Sequence, residues 1–441
     1  MDSTSILSGE EVIKLVSEIL FKSTKEHLNN TETVVLNNSH RNRTYEQMGG
    51  SNYDIQTLKD AGSALWKKLS NALGVDVKKS NFVQVLKHYK DNPKEYTIHS
   101  QPKATPTPTD SPIYIKRGTV ESSCYEKIQQ DGALIRIRSA QRMGKTLLLG
   151  KLLDYATQQG YQTAKLDLQF VDDNTLADLN TFMKWLCDEV LNNLNPQPDE
   201  EEYWQAFNKL NGNLTRFFQK YLLPKLENPL VLAIDSFEKL FKANIYSTFC
   251  SYLRGWHDNA KPGDNIGNIW KKLRVVLVYS TETYPDLDTN HSPFNAGVPI
   301  DLPDFNCSEV TTLAKQYKLD EHLGENGLSK LMELVGGHPY FIQEAFSNLK
   351  NQQMTLEDLL SFAPTEQGIY SHYLRQQLWN LQQNHQLELA YKNVVMANEP
   401  VRLDNTEVAF KLHSMGLVKF SRNNCIPSYD LLRQYFSEHL E

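Results

Sequence analysis

Long apolar runs are missing from this chain. Nowhere in its 441 residues is there a stretch of the ~18–20 uninterrupted apolar side chains that span a bilayer. The opening MDSTSILSGEEVIKLV carries acids where a secretory leader needs bases. The expectation is therefore a cytoplasmic protein without a membrane partner. Cysteine is scarce. Cys124, Cys187, Cys250, Cys307 and Cys425 come no closer than the 57 residues between Cys250 and Cys307, which excludes a disulfide framework or a zinc-ligand spacing. Excess positive charge is absent too: 46 Lys and Arg face 53 Asp and Glu, a net charge of −7, which excludes a protein devoted to coating nucleic acid. Disorder is excluded by the apolar content, 40% before glycine is added.

What is present divides unevenly. At roughly 150 residues per domain the length points to about three units. Residues 1–40 carry six acids and three lysines, whereas residues 41–90 carry nine Lys or Arg and four acids, so one small basic module sits near the front. Residues 91–112, DNPKEYTIHSQPKATPTPTDSP, have five prolines and few large apolar side chains, the composition of a linker. The acidic run Asp199, Glu200, Glu201 and Glu202 reads as a solvated helix start. β-rich apolar runs then alternate with amphipathic stretches, as in an α/β parallel sheet. Strands are predicted at 133–138, 163–169, 230–235 and 273–280. Beyond about residue 306 the pattern is helical until a short strand, turn and strand at LVKFSRNNCIP.

The chemistry concentrates at the first of these strands. It runs into Ser139-Ala-Gln141-Arg142-Met143-Gly144-Lys145-Thr146 and an apolar helix. A loop that curls its N–H groups around an anion, a Lys for β/γ-phosphates, a hydroxyl for Mg²⁺ and a helix N-terminus make a phosphate-binding loop. Ser139 stands where such loops usually begin with Gly. The buried strand LVLAID ends in Asp235, a Walker B pattern that would hold Mg²⁺ opposite Thr146. Ser236 follows where many ATPases place a Glu, so the acid that polarises water is sought at Glu238, one turn on, and a Glu at 236 is expected to raise turnover. Strand 273–280 ends in Ser280-Thr281-Glu282, where Thr281 and Glu282 either sense the γ-phosphate or simply terminate the strand.

The phosphate loop, Asp235, STETY, NHSPFNAGVPIDLPDF, VGGHPY and VRLDNTEVAFKLHSMGLVKF together resemble the AAA-like ATPase domain family abundant in cyanobacteria and allied to the STAND signalling ATPases, from about Asp110 to Tyr435. The resemblance implies a P-loop ATPase core, a helical lid and a winged helix that packs on the lid. It makes His338 in Gly337-His338-Pro339 a candidate phosphate sensor, beside its reading as a helix start, and Tyr114 to Arg117 a candidate adenine contact, beside ordinary packing. Residues 281–305 contain no Lys or Arg, and Arg254 and Arg274 stand ahead of the sensor position, so no trans-acting arginine finger is offered and a switch is favoured over a motor.

In the front module Thr44 and Gln47 have capping-box spacing, Gly49 to Asn52 form a turn, and a helix starts near Asp54. Ile55, Leu58, Gly62, Leu65, Trp66, Leu69 and Leu73 give it one apolar face; Gln56, Lys59, Ser63 and Lys67 lie opposite. This is a helix-turn-helix pattern, and the segment GSALWKKLSNALG resembles the module found ahead of AAA-like ATPase domains. Its outer face suits double-stranded DNA or a protein partner.

The expected fold is multidomain: an N-terminal all-α helix-turn-helix (1–90), a linker (91–112), an α/β P-loop NTPase core with a parallel sheet (113–305), a helical lid (306–368) and a winged helix (369–441). The expected function is an ATP/ADP-binding, Mg²⁺-dependent switch with slow hydrolysis, coupled to DNA or partner binding. Self-association on activation is left open. The alternatives are a non-hydrolysing scaffold that recruits effectors in a defence system, or a sequence-specific transcription regulator.

Overall fold

The computed structural model of the chain describes residues 9–24, 28, 30–41, 43–48, 55–73, 75, 77–79, 81–91, 113–194, 200–209, 212–282, 296–351 and 353–440. The linker beyond Asp91, the turn at 49–52, Asp199 and the side chain of Gln56 lie outside them. The chain divides into two compact units, Met1–Pro112 and Ile113–Glu441.

The first unit is all helical, with helices Gly9–Thr24, Asn30–His40, Tyr45–Met48, Ile55–Leu73 and Phe82–Asp91. Its core gathers around the apolar stripe of Ile55–Leu73: Leu58, Leu65, Trp66 and Leu69 are buried with Val16, Leu36 and Phe82. The capping box closes as the spacing predicts. The Thr44 N–H donates to Gln47 Oε1 at 3.0 Å, and the Gln47 N–H to Thr44 Oγ1 at 3.3 Å. Gly62 is required by packing, because a Cβ there would stand 2.2 Å from the Tyr45 hydroxyl, which itself accepts from Trp66 Nε1 at 3.3 Å.

The second unit is built on a five-stranded parallel sheet: β1 (Leu134–Ser139), β2 (Gln162–Asp167), β3 (Leu230–Asp235), β4 (Leu273–Ser280) and β5 (Val298–Asp301), in the order β2-β3-β4-β1-β5. β3 and β4 are buried throughout, as a sheet covered on both faces demands. Helices cover one face through Phe182, Leu186, Phe249 and Trp256 and the other through Ile128, Leu148, Leu149 and Leu152. Two predicted strands shift. β1 runs one residue further, to Ser139, and β2 stops at Asp167 instead of Gln169, because the Asp167 carboxylate accepts the Gln169 N–H and folds Leu168–Phe170 into a 3-10 turn. β5 is an addition to the expected set: four residues with Pro299 among them, tolerated because the strand lies at an edge.

From Cys307 the chain is helical up to the hairpin β6 (Val418–Ser421) and β7 (Asn424–Pro427), closed by the helix Asp430–His439. A single apolar core runs through this region and crosses the expected division at 368: Phe341 and Phe346 share it with Tyr370, Tyr373, Leu431 and Tyr435. No helix among the described residues is long and apolar enough to cross a membrane.

Candidate functional site

The site forms where β1, β3 and β4 end together, in front of the helix Lys145–Gln158. The turn into that helix needs left-handed backbone at Arg142 (φ 59°) and Gly144 (φ 87°). At Gly144 a side chain would also meet the Arg117 guanidinium, 2.9 Å from the position of a Cβ. Arg117 is buried and ties the loop to the segment entering the lid. Its guanidinium donates to the carbonyls of Met143 and, at 3.2 Å, Pro303, and it lies 4.8 Å over the Phe305 ring. Its backbone N–H donates to Glu121 at 2.9 Å, and the same carboxylate accepts the Tyr114 hydroxyl. Tyr114 and Arg117 thus brace the loop.

Lys145 sits at the centre. Its ammonium donates to the carbonyls of Ser139 (3.1 Å) and Ala140 (2.7 Å). Burial pushes it down to about 8, against the opposing pull of Glu238, Glu282 and Asp235. Glu238 reaches this cluster from the 3-10 turn Phe237–Lys242. Burial raises its carboxyl above the usual range, its own N–H and that of Ser280 favour the charged form, and Oε2 is buried without a hydrogen bond. Glu282 accepts the Gln141 N–H of the phosphate loop at 3.4 Å, and burial raises it to about 7. The Gln377 amide, fully buried, lies near Glu282. Sequence reasoning did not reach Gln377, which is one polar residue inside an otherwise amphipathic helix.

Asp235 is 3% exposed. Its Oδ1 accepts the Ser236 N–H at 3.0 Å, while Oδ2 has no hydrogen bond and faces Lys165 Nζ at 3.6 Å. An orphaned, buried carboxylate oxygen at the end of β3, with Thr146 exposed at the helix start, fits a hard divalent cation held by oxygen. Ser236 bears on the expectation for a Glu at this position. It stands in left-handed backbone (φ 57°) and its hydroxyl donates to Asp167 at 2.9 Å, so a carboxylate at 236 would lose that hydrogen bond and face a like charge.

The remaining candidates spread out. Arg142 leaves the loop to stack on the lid, 4.3 Å over Tyr340 and 5.6 Å from Tyr373. The Thr281 hydroxyl does not face the loop's interior; it donates to the carbonyl of Ser414 at 2.7 Å, and Lys419 pairs with Asp304 at 2.7 Å, so the C-terminal hairpin region is fastened to the segments that follow β4 and β5. His338 is enclosed between Phe341 and Tyr429, with Nδ1 unpartnered, and burial pushes it down to about 4. Tyr114, Arg117, Arg142, Pro339 and Gln343 line a cavity of about 30 Å³, while about 350 Å³ opens between β1, β5 and the hairpin. In the first unit Lys59, Ser63 and Lys67 are all exposed on one helix.

A family model described as AAA-like domain matches residues 102–438, and one described as vWA-MoxR associated protein N-terminal HTH matches residues 7–89. Among solved structures, a Walker-type ATPase of Pyrococcus abyssi is similar at 12% identity, with 73% of this chain and 96% of that one covered and a TM-score of 0.48. The Aeropyrum pernix ORC2 protein in its ADP form is similar at 13% identity, with 75% and 96% covered and a TM-score of 0.39. Domain III of the Thermotoga maritima replication initiation protein DnaA is similar at 16% identity, with 56% and 91% covered and a TM-score of 0.33. No curated protein matches the chain.

Proposed function

The chain belongs to the AAA-like domain family, and from that premise we propose that it is an ATP/ADP-binding switch of the STAND type, whose nucleotide state governs DNA or partner binding by its N-terminal helix-turn-helix. The observation that carries this reading is Lys145, half-buried at a helix start among Asp235, Glu238 and Glu282, its ammonium hydrogen-bonded to loop carbonyls. Three acids around one ammonium at the carboxyl ends of a parallel sheet leave the Lys to bind β/γ-phosphates and the acids to manage metal and water. Gln141 to Thr146 would cradle the phosphates, and Thr146 and Asp235 would hold Mg²⁺, which supplies charge neutralisation at the phosphate oxygens. Ser139 opens the loop, and Tyr114 with Arg117 would border the base.

Hydrolysis is slow on this reading. Glu238 is the acid best placed to orient water, while Glu282, raised to about 7 by burial, is ionised only in part at neutral pH. Isothermal titration with ADP and ATP tests the assignment. Lys145→Ala should weaken binding about 10–100-fold through loss of a charge-assisted contact; unchanged affinity would refute it. The rival, a non-hydrolysing scaffold, draws on Ser236, whose hydroxyl is committed to Asp167. A purified chain that binds ATP without releasing phosphate would favour that rival.

A further inference from the structure

A carboxylate as buried as Asp235 is costly unless a positive charge answers it. Lys145, the ammonium at the loop, is committed to the carbonyls of Ser139 and Ala140. The nearer answer comes from the neighbouring strand. Lys165 and Asp167 project on the same side of β2, and β2 pairs in parallel with β3 so that Asp167 lies opposite Asp235. Asp167 is occupied by the Ser236 hydroxyl at 2.9 Å and the Gln169 N–H at 3.0 Å. Lys165 Nζ stands 3.6 Å from Asp235 Oδ2, too far for a hydrogen bond and close enough for an ion pair. Its side chain is 37% exposed, against 5% for Asp235. A half-exposed ammonium on a flexible stem can leave for solvent; the carboxylate cannot.

We propose that Lys165 is a built-in counter-ion for Asp235 that competes with magnesium: the ammonium neutralises Asp235 in the absence of the metal and withdraws when the metal arrives with nucleotide. This rests on the nucleotide reading above. The metal and the ammonium seek the same orphaned oxygen, and two cations cannot share it without repulsion. Lys165 is therefore a positioning residue that sets how much magnesium the site needs, without touching nucleotide.

The test is the affinity of the full chain for mant-ADP, followed by fluorescence across a series of buffered free Mg²⁺ concentrations including EDTA. Lys165→Met removes the charge and keeps the stem; Lys165→Arg keeps the charge. In Lys165→Met the Mg²⁺ midpoint should fall about two- to fivefold, the scale of a partly exposed ion pair, with the affinity in EDTA unchanged or lower. Lys165→Arg should keep the midpoint of the unaltered chain. An unchanged or higher midpoint in Lys165→Met, an equal shift in both variants, or binding that ignores magnesium in the unaltered chain would each overturn the inference while leaving nucleotide binding intact. No mant-ADP binding by the unaltered chain overturns the nucleotide reading, and this inference with it.

Discussion

Glu238 and Ser236 stand two residues apart, yet the backbone sends them to different sides of Asp235. Ser236, in left-handed conformation, turns to Asp167; Glu238, carried by the following 3-10 turn, comes back beside Lys145 and the Ser280 N–H. On the proposed reading Glu238→Gln should therefore lower phosphate release about 10²-fold or more, whereas Ser236→Glu should give no gain and lower the thermal midpoint. A rise in turnover with Ser236→Glu would show that the acid reaches the phosphate side after all. Glu282 adds a pH dependence. Burial lifts it from 4.5 to about 7, so between pH 4.5 and 7 the folded chain holds a proton that the unfolded chain has lost. Stability from this group is fully present below pH 4.5 and falls as pH rises through 7. Glu282→Gln should accordingly match the unaltered chain near pH 4.5 and melt higher above pH 7 in calorimetric scans at several pH values. A difference that does not grow with pH would assign the carboxyl an ordinary titration.

At the scale of elements, legibility followed burial. β3 and β4 occupy the predicted residues because a central strand covered on both faces is a continuous apolar run. β5 escaped because four alternately exposed residues with a Pro carry no such signal. The phosphate loop, Asp235 and Glu238 were readable from spacing along one strand-turn-helix. Lys165 and Gln377 were not, because their meeting with Asp235 and Glu282 depends on strand register and on a helix far along the chain. Arg142 was readable only as a loop residue; on the proposed reading its stacking on Tyr340 makes it a latch between the loop and the helical region. The cavity bordered by Arg142, Tyr114 and Pro339 is small, about 30 Å³, so on the proposed reading a base enters there more easily once Arg142 moves aside. A cation–π contact at a wet site contributes about 0.5–1 kcal/mol. Arg142→Ala should therefore speed both entry and release of mant-ADP by roughly two- to fivefold in stopped-flow measurements. Unchanged rates would mean that the lid opens elsewhere.

For the whole molecule the question is whether the two units communicate. Each has its own core, the first around Trp66 and Phe82, the second around the sheet and the Phe341–Tyr435 cluster. A switch then requires that nucleotide bind two arrangements of the chain with unequal affinity; equal affinity would shift nothing, however tight the binding. The net charge of −7 makes this demand sharper, because whatever attraction the front helix offers to a duplex comes from a few lysines against an acidic background. Lys59 and Lys67 are exposed on that helix, away from the buried Leu65, Trp66 and Leu69. Changing both to Glu should weaken duplex binding and flatten its salt dependence by about two units of slope while the module stays folded. If the units are coupled, duplex affinity measured by fluorescence anisotropy should differ between ADP and a non-hydrolysable ATP analogue, and that difference should vanish in Lys145→Ala. Duplex binding that ignores the nucleotide would leave a DNA-binding module and an ATPase sharing one chain without a switch. No duplex binding at low salt with either nucleotide would move the front helix to a protein partner, because an exposed basic face without phosphate attraction retains only the shape and hydrogen bonds that a protein surface reads.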